Sequence, residues 1–489
     1  MSVLSHLEPQ RVFAFFEQIC AIPHGSGNTK AISDFVMDFA RARGLEAHQD
    51  EWNNVIVIKG PSAGYEAAEP VIFQGHLDMV CEKTAQCPKD MAAEGLDLMV
   101  EGDTVYAKDT TLGGDDGIAV AMALALLDDD ALPHPRLEVV LTTEEETGMD
   151  GAVNIDLTPL RGRRMLNLDS EAEGVLTVGC AGGNRTVCRI PVKREDCPWG
   201  RVTVTVGGLA GGHSGAEIHR GLGNACVLLG RVLAAAEQAS QIRIVSVTGG
   251  GKDNAIPREA SATLVAEDVP AVLAAAAKLG GVFQAEYRVT DSGVFASAAP
   301  AAAEGTPMDG VPAARIPMDG PSTARVVSFL TCAPNGVQTM SADIAGLVQT
   351  SLNLGILETE ADSVTASFCL RSSVESEKEM MVRRLEHLSA LCGGTARVWG
   401  DYPAWAYRPQ SPLRDLVTQV YREQYGSEPR IEAIHAGLEC GLFAGKLPDL
   451  DCVSLGPDLT EIHTTRERMH IASVGRVWNM VTEVLRRMK

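Results

Sequence analysis

The chain has 489 residues, more than one hydrophobic core ordinarily holds, and this length predicts two domains. A formal net charge of −22 argues against a nucleic-acid partner, because such proteins gather lysine and arginine on a basic face. The composition, 45% hydrophobic and 22% charged, is that of a soluble globular protein. No apolar run approaches the ~18 residues of a membrane span, and Glu8 and Arg11 interrupt the first apolar segment. We therefore expect a cytoplasmic protein with no signal peptide and no membrane partner.

Up to residue 186 the sequence alternates helical segments with short apolar runs. The runs that predict strands are residues 55–59, 71–73, 137–142 and 165–168. Such alternation is typical of an α/β layer with a largely parallel sheet. We interpret residues 1–186 as the first part of a catalytic domain.

From residue 187 to 399 the pattern becomes that of an α+β domain. The segments RTVCRIPVK and RVTVTVGGL alternate apolar and polar residues, as half-buried antiparallel strands do. An Ala/Pro-rich stretch at 297–324, with PMDG twice, predicts a surface loop or disordered insert. Residues 400–489 return to the α/β pattern and are expected to join the first sheet. The second domain would then be inserted into the first.

The twelve cysteines lie between Cys20 and Cys452 and include no CxxC pair. This spacing indicates neither a disulfide scaffold nor a cysteine-rich zinc module. We expect most of them to be small buried hydrophobic residues.

Three of the apolar runs lead directly into side chains that bind metals. VIFQGHLDMV delivers His76 and Asp78, LEVVLTTEEETG delivers glutamates 144–146, and RRMLNLDSE delivers Asp169. A metal-binding imidazole and a carboxylate that orients it need the two-residue spacing of His76 and Asp78. Ligand sites in open α/β sheets lie at the C-terminal ends of the strands, so these side chains are expected in one cleft.

Two further segments complete the set. TTLGGDDGIA places Asp115 and Asp116 at the start of a helical run, where one could cap the helix and leave the other for a metal. CVSLGPDLTEIHTT adds His463 after a strand and a loop. Two histidines and three carboxylates suit two divalent ions, about 3.5–4 Å apart, that share one bridging aspartate. Adjacent Glu145 and Glu146 can divide the roles of general base and metal ligand.

Together these motifs resemble the co-catalytic zinc aminoacylase, carboxypeptidase and dipeptidase superfamily, most closely its aminoacyl-histidine dipeptidase (β-Ala-His dipeptidase) branch. The segments that carry the resemblance, over nearly the whole chain, are GHLDMVCEK, TTLGGDDGIA, EEETGMDGA, NLDSE, GGHSG with IHRGLGNA, NAIP, RSS and HAGLECG. The resemblance implies a phosphorylase/hydrolase-like catalytic domain with a mixed, largely parallel sheet and an inserted α+β lid domain. It also implies a cytosolic metallopeptidase that cuts short peptides, with Xaa-His dipeptides such as β-Ala-His among its substrates.

The resemblance assigns roles to individual residues. The implied metal ligands are His76 and Asp169 for one ion, Glu146 and His463 for the other, and Asp115 between the two. The implied catalytic residues are Glu145 as general base to a metal-bridging hydroxide, Asp78 as the group that orients His76, and His213 as the oxyanion donor. The implied substrate-binding residues are His213, Asn254, Arg371 and Gly437. Zinc is the expected metal, with cobalt or manganese as alternatives.

The sequence departs from the family pattern in three places. Asp116 stands where relatives commonly have asparagine, and TTRERM follows His463 where a proline and an acid are common. The Ala/Pro-rich stretch is the third departure. None of them removes a ligand, but they leave loop conformation and substrate preference open.

Other functions are compatible with parts of this pattern. The same metal centre serves aminotripeptidases, broad-specificity dipeptidases and N-acyl amidohydrolases, although HLDMVCEK and HAGLECG favour the dipeptidase branch. A catalytically decayed peptide-binding protein would typically have lost its base, whereas Glu145 is present. If the protein were purely structural, the acidic residues and histidines at all five predicted ligand positions would have to be there by coincidence. A homodimer through the inserted domain is possible, and whether His213 acts in its own subunit or a neighbour's stays open.

Overall fold

A computed structural model describes residues 2–301 and 316–489 and divides the chain into two compact units. The first unit consists of Met1–Cys180, Trp405–Ala433 and Leu438–Lys489. The second consists of Ala181–Ala404 and Ile434–Gly437. Among the described residues, no helix has the length and apolarity needed to cross a membrane.

The helices are short to medium in length and are distributed over both units. In chain order they are α1 (Gln10–Cys20), α2 (Lys30–Ala42), α3 (Gly114–Asp128), α4 (Glu145–Gly148), α5 (Asp150–Asn154), α6 (Ala225–Ala239), α7 (Val269–Glu286), α8 (Gly320–Cys332), α9 (Glu375–Leu391), α10 (Pro412–Tyr425), α11 (Glu439–Lys446) and α12 (Ile471–Arg487). A single 3₁₀ turn among the described residues is Ile218–Arg220.

The strands of the first unit precede and follow those of the second. The first group is β1 (Glu46–Gln49), β2 (Val55–Lys59), β3 (Val71–His76), β4 (Leu98–Glu101), β5 (Thr104–Ala107), β6 (Leu137–Thr142), β7 (Arg164–Asn167) and β8 (Val175–Cys180). The second unit contains β9 (Gly182–Pro191), β10 (Gly200–Gly207), β11 (Gly212–His213), β12 (Ile242–Gly249), β13 (Ala255–Ile256), β14 (Ala260–Ala266), β15 (Phe295–Pro300), β16 (Gly336–Met340), β17 (Val348–Thr359), β18 (Ser363–Ser372) and β19 (Thr395–Tyr402). The last group is β20 (Arg430–Ile434), β21 (Asp451–Ser454), β22 (Leu459–Thr460) and β23 (Arg468–His470).

The core of the first unit is an eight-stranded mixed sheet in the order β1-β2-β6-β3-β7-β21-β8-β20. Its central strands β6, β3, β7 and β21 are parallel, while β2 pairs antiparallel with β6, and β8 with β21. Strands β3 and β6 are buried along their whole length. Because both faces of a parallel strand are covered, such strands read as continuous apolar runs, and this is the pattern that predicted them.

Helix α3 explains the long apolar run that follows the glycine-rich loop. Every residue from 117 to 127 is buried, and the helix contacts α1 and β3. A helix that is apolar on all sides must be covered on all sides, which this position provides. The helix therefore holds its first residues, including the two aspartates, against the end of β3.

The second unit is built on an antiparallel sheet in the order β15-β10-β14-β12-β17-β18-β9-β19, with β16 beside β17. In β10 the valines at 202, 204 and 206 are buried, while the threonines between them are partly exposed. Helices α6 and α7 contact this strand and belong to the core that the valines enter. The period-two pattern of RVTVTVGGL thus reflects a sheet covered on one face.

The prediction of a surface loop over residues 297–324 is wrong at both ends, which form a strand and a helix. Strand β15 runs to Pro300 and pairs antiparallel with β10, so its alanines are placed by backbone pairing and not by an apolar pattern. Helix α8 begins at Gly320, where the Asp319 side chain accepts the Ser322 N–H at 2.8 Å and Pro321 occupies the first turn. Residues 302–315, which include the first PMDG, lie outside the described residues.

Candidate metal centre

The C-terminal ends of three neighbouring parallel strands carry most of the site. His76 is the last residue of β3, and the short helix α4 with Glu145 and Glu146 begins three residues after the end of β6. Asp169 follows β7 by two residues. Since parallel strands end at one edge of a sheet, these four side chains lie together in the first unit.

The Asp115 carboxylate lies between two imidazoles. Its Oδ1 is 3.2 Å from Nε2 of His76, and its Oδ2 is 3.2 Å from Nε2 of His463. Asp169 Oδ1 is 3.6 Å from the same nitrogen of His76, and Glu146 Oε1 is 3.0 Å from that of His463. The five predicted ligands therefore form two groups that share one aspartate.

Asp78 positions the imidazole and the two glutamates together. Nδ1 of His76 lies 2.9 Å from the backbone oxygen of Asp78 and 3.5 Å from its Oδ1. The same carboxylate accepts the backbone N–H of Glu145 at 3.1 Å and of Glu146 at 3.4 Å, and the hydroxyl of Ser26 at 2.7 Å. Because Nδ1 of His76 carries the proton that it donates to the backbone oxygen of Asp78, Nε2 keeps its lone pair for a metal.

The pKa values report how strongly these groups influence one another. Burial, and then the neighbouring Asp169 carboxylate, raises the pKa of Glu145 to about 9. The nearby carboxylates of Asp115 and Glu146 raise the pKa of His463 to about 10. Although burial opposes it, hydrogen bonds from His463 and His76 hold the pKa of Asp115 well below its usual range. The site thus concentrates carboxylates that only positive charge can stabilise as anions.

The donor set fits divalent metal ions. Three groups of residues each have ligand atoms that lie within 4.8 Å of one another. The groups are His76 with Asp116 and Asp169, His76 with Glu145 and Glu146, and Asp115 with Glu146 and His463. Glu146 Oε1 is buried without a hydrogen-bond partner, since its approach to His463 lacks hydrogen-bond geometry. No lysine or arginine in the described part of the chain pairs with these carboxylates. Buried carboxylates need such compensation, and bound cations supply it.

Asp116 does not cap helix α3, contrary to one of the two explanations offered by the sequence. Neither it nor Asp115 has helical backbone angles, and the helix lacks a side-chain cap. Asp116 is 1% exposed, and its Oδ2 accepts the backbone N–H of His76 at 3.1 Å. A Cβ on Gly75 would lie 2.5 Å from this oxygen, so the glycine of QGHLD is needed for the approach.

Glu467 is a structural residue of the site that the sequence did not reveal. Its carboxylate accepts the backbone N–H groups of Leu112, Gly113 and Gly114 at 2.7, 3.2 and 2.8 Å. These bonds fix the glycine-rich loop that carries Asp115. The acid lies in the TTRERM segment, which the sequence showed only as a departure from the family pattern.

Glu439 is a second residue that was missed. It is fully buried, and its Oε2 accepts Gln74 Nε2 at 2.5 Å and Thr142 Oγ1 at 2.6 Å. Asn167 Nδ2 in turn donates to Gln74 Oε1 at 2.5 Å. This network joins the ends of β3, β6 and β7, directly beneath the ligands that those strands deliver.

The remaining predicted residues lie in the second unit. Nδ1 of His213 accepts the backbone N–H groups of Gly215 at 3.3 Å and Ala216 at 3.0 Å, so the ring proton is on Nε2. Burial and the charge of Arg371 lower the pKa of His213, which keeps the imidazole neutral. The backbone oxygen of Asn254 accepts the N–H of Ser214 at 2.9 Å.

Arg371 lies in β18 opposite Ser351, and its Nη1 donates to the Tyr402 hydroxyl at 3.3 Å. Gly437 ends the short segment Ile434–Gly437 that belongs to this unit. All four predicted substrate-binding residues thus belong to the second unit, whereas the predicted metal ligands belong to the first.

Residues 72–487 match the model of peptidase family M20/M25/M40. The chain belongs to this family. Membership confirms the predicted superfamily, the fold class and the assignment as a peptide hydrolase.

Two relatives cover nearly the whole chain. A cytosol non-specific dipeptidase of Escherichia coli (strain K12) is 38% identical over 490 residues, with 99% of both proteins covered. The crystal structure of an aminoacylhistidine dipeptidase from Vibrio alginolyticus has a TM-score of 0.92 and 34% identity, covering 99% of this chain and 98% of that one. An aminopeptidase PepT from Bacillus cereus ATCC 10987, at 15% identity and a TM-score of 0.55, shares the fold alone.

Proposed function

We propose that this chain is a metal-dependent cytosolic dipeptidase with Xaa-His dipeptides among its substrates. The observation that carries the proposal is the Asp115 carboxylate, 3.2 Å from the Nε2 atoms of both His76 and His463. Both full-length relatives are named as dipeptidases, which supports the same substrate length here. Their names differ in the breadth of substrates, so histidine at the second position is the finer part of the proposal.

The ligand assignment follows the two groups around Asp115. His76 and Asp169 would hold one ion, Glu146 and His463 the other, and Asp115 would contact both. When bound, the two ions polarise the peptide carbonyl and make water a nucleophile at neutral pH. Zinc suits this mixture of imidazole and carboxylate ligands, and cobalt or manganese would be accepted by the same atoms.

Glu145 is proposed as the general base. Its backbone N–H donates to Asp78. Burial and the Asp169 carboxylate raise the pKa of Glu145, and bound cations would stabilise the anionic form that a base requires. It would take a proton from the attacking water and pass that proton to the amine nitrogen as the C–N bond breaks. A base that must hold a proton between these steps benefits from a raised proton affinity.

The second unit is proposed to bind the peptide. Nε2–H of His213 is a neutral donor suited to the negative oxygen that develops on the carbonyl. The guanidinium of Arg371 suits the terminal carboxylate, while Asn254 and Gly437 would hold the peptide backbone. The proposed metal ligands and base thus belong to the first unit, and the proposed oxyanion donor and peptide-binding residues belong to the second. Association of two chains through the second unit stays a prediction.

Substrate length is tested by a panel assayed with zinc-loaded protein. The panel contains β-Ala-His, Ala-His, Ala-Ala, Ala-Ala-Ala and N-acetyl-alanine. We expect cleavage of the dipeptides, with Ala-His cut at least as fast as Ala-Ala. Cleavage confined to the tripeptide would indicate an aminotripeptidase, and cleavage confined to N-acetyl-alanine would indicate an amidohydrolase. Peptide binding without any cleavage would favour the decayed binding protein instead.

A further inference from the structure

Of five buried side-chain atoms in the described part of the second unit that lack a hydrogen-bond partner, three belong to residues around Gly215. They are Nε of Arg371, Nδ1 of His435 and Oγ of Ser214. The three residues are 9%, 8% and 2% exposed. Buried polar groups are nearly always paired, so three unpaired ones around a single glycine point to a ligand that completes them.

Gly215 shows that these groups converge. A Cβ built on this glycine would lie 2.7 Å from the backbone oxygen of His435, 3.0 Å from Nε of Arg371 and 3.1 Å from Cε1 of His213. No side chain other than hydrogen fits there. The glycine therefore lets the Arg371 side chain, the His213 ring and the His435 backbone approach one another. The His435 ring is placed by its contact with Ser351, the residue opposite Arg371 in the sheet.

The charge around Gly215 is positive. Among the described residues, no aspartate or glutamate forms an ion pair with Arg371. Burial and the arginine charge lower the pKa of His435 to about 3 against the opposing effect of the Val348 backbone, so its ring is neutral and adds one N–H donor without adding charge. A single guanidinium charge with an additional neutral N–H suits one carboxylate.

Ser351 makes His435 suitable as a donor. Its Oγ lies 2.7 Å from Nε2 of the histidine. A hydroxyl can either donate or accept, so the Ser351 contact persists whichever ring nitrogen carries the proton. An anion beside Nδ1 would select the tautomer with the proton on that nitrogen, with Ser351 then donating to Nε2.

We infer that His435, oriented by Ser351, is a second anchor beside Arg371 for the free α-carboxylate of the substrate. The role of Arg371 follows from the family resemblance, whereas that of His435 follows from its unpaired Nδ1 and from its contact with Ser351, which lies opposite Arg371. The inference rests on the proposed function for the identity of the substrate. Because the anchors are buried, only an unsubstituted chain terminus can reach them, and the site selects peptides by the presence of that terminus.

The test compares Ala-His with its C-terminal carboxamide, Ala-His-NH₂, on zinc-loaded protein. The wild-type protein is expected to favour the acid by roughly tenfold or more in kcat/KM, since a hydrogen bond to a charged group is lost with the amide. His435→Ala should raise KM for the acid by about tenfold or more with a smaller change in kcat, and leave the amide nearly unaffected. The acid-to-amide ratio should therefore collapse.

Two amide variants provide matched controls. His435→Asn places an N–H near the position of Nδ1 and should restore much of the discrimination. His435→Gln places its amide near Nε2 and should not. Equal losses on acid and amide, or equal behaviour of the two variants, would show a merely structural role and overturn the inference.

A binding measurement separates this inference from the proposed function. L-alanine and L-alaninamide are titrated calorimetrically into wild-type protein and His435→Ala. Tighter binding of the acid by the wild type only, without any dipeptide cleavage, would keep the carboxylate anchor and contradict the dipeptidase. Dipeptide cleavage with an unchanged preference for the acid in His435→Ala would keep the dipeptidase and contradict the anchor.

Discussion

Glu145→Gln is expected to lower kcat on dipeptides by roughly 10²–10⁴-fold while both metal ions remain bound. The amide keeps the size of the side chain and the backbone bond to Asp78, but it cannot accept the proton of water. The measurement is kcat for Ala-His together with the zinc content of the purified variant. KM should change little, because the residue acts on the proton and not on the peptide.

His463→Ala is the comparison for this variant. Its Nε2 is 3.2 Å from Asp115 and 3.0 Å from Glu146, so its removal should cost metal as well as activity. Equal loss of zinc from Glu145→Gln and His463→Ala would contradict the separation of base and ligand. Full activity of Glu145→Gln would assign the base to another residue.

Asp115→Ala is expected to release both ions and abolish turnover. Removing groups that only orient metal ligands typically lowers affinity about 10–100-fold, and loss of a carboxylate shared by two ions should exceed that range. Zinc affinity is measured by competition with a chromogenic chelator, and activity is assayed at saturating zinc.

Asp116→Asn is the matched control for Asp115→Ala. The neighbouring residue accepts the backbone N–H of His76 through Oδ2, and an asparagine oxygen can accept the same bond. We therefore expect this variant to keep zinc and most of its activity. If Asp115→Ala retained two tightly bound ions, or if Asp116→Asn lost metal to the same extent, the bridging role of Asp115 would be contradicted.

The sequence predicted the parts of the site that depend on strand direction. His76, Glu146 and Asp169 each follow an apolar run, and parallel pairing alone brings those ends together. Their ligand pairing came from the family resemblance and stays a prediction, and the structure places Asp115 3.2 Å from both histidines.

The sequence could not reveal the groups that support the ligands. Glu467 bonds to a loop more than 350 positions earlier, and Glu439 bonds to Gln74 across 365 positions. Such bonds depend on the finished packing and leave no local spacing in the chain. His435 was hidden for the same reason, since its contact with Ser351 and its unpaired Nδ1 are evident only in the folded structure.

The error at residues 297–324 has a similar origin. Alanine, serine and proline carry little strand propensity, so composition favoured a loop. Strand β15 forms because β10 offers it an edge to pair with. Helix α8 was detectable in principle, since Asp319 followed by Pro321 is a helix-start signal.

The central claim is that two metal ions held by one shared aspartate make this chain a dipeptidase. It is tested most directly by titrating chelator-stripped protein with zinc while following Ala-His hydrolysis. Activity should be absent without metal and should reach its maximum at about two equivalents of zinc per chain. Full activity in the stripped protein, or uptake of two zinc ions with no hydrolysis of any dipeptide, would contradict the claim.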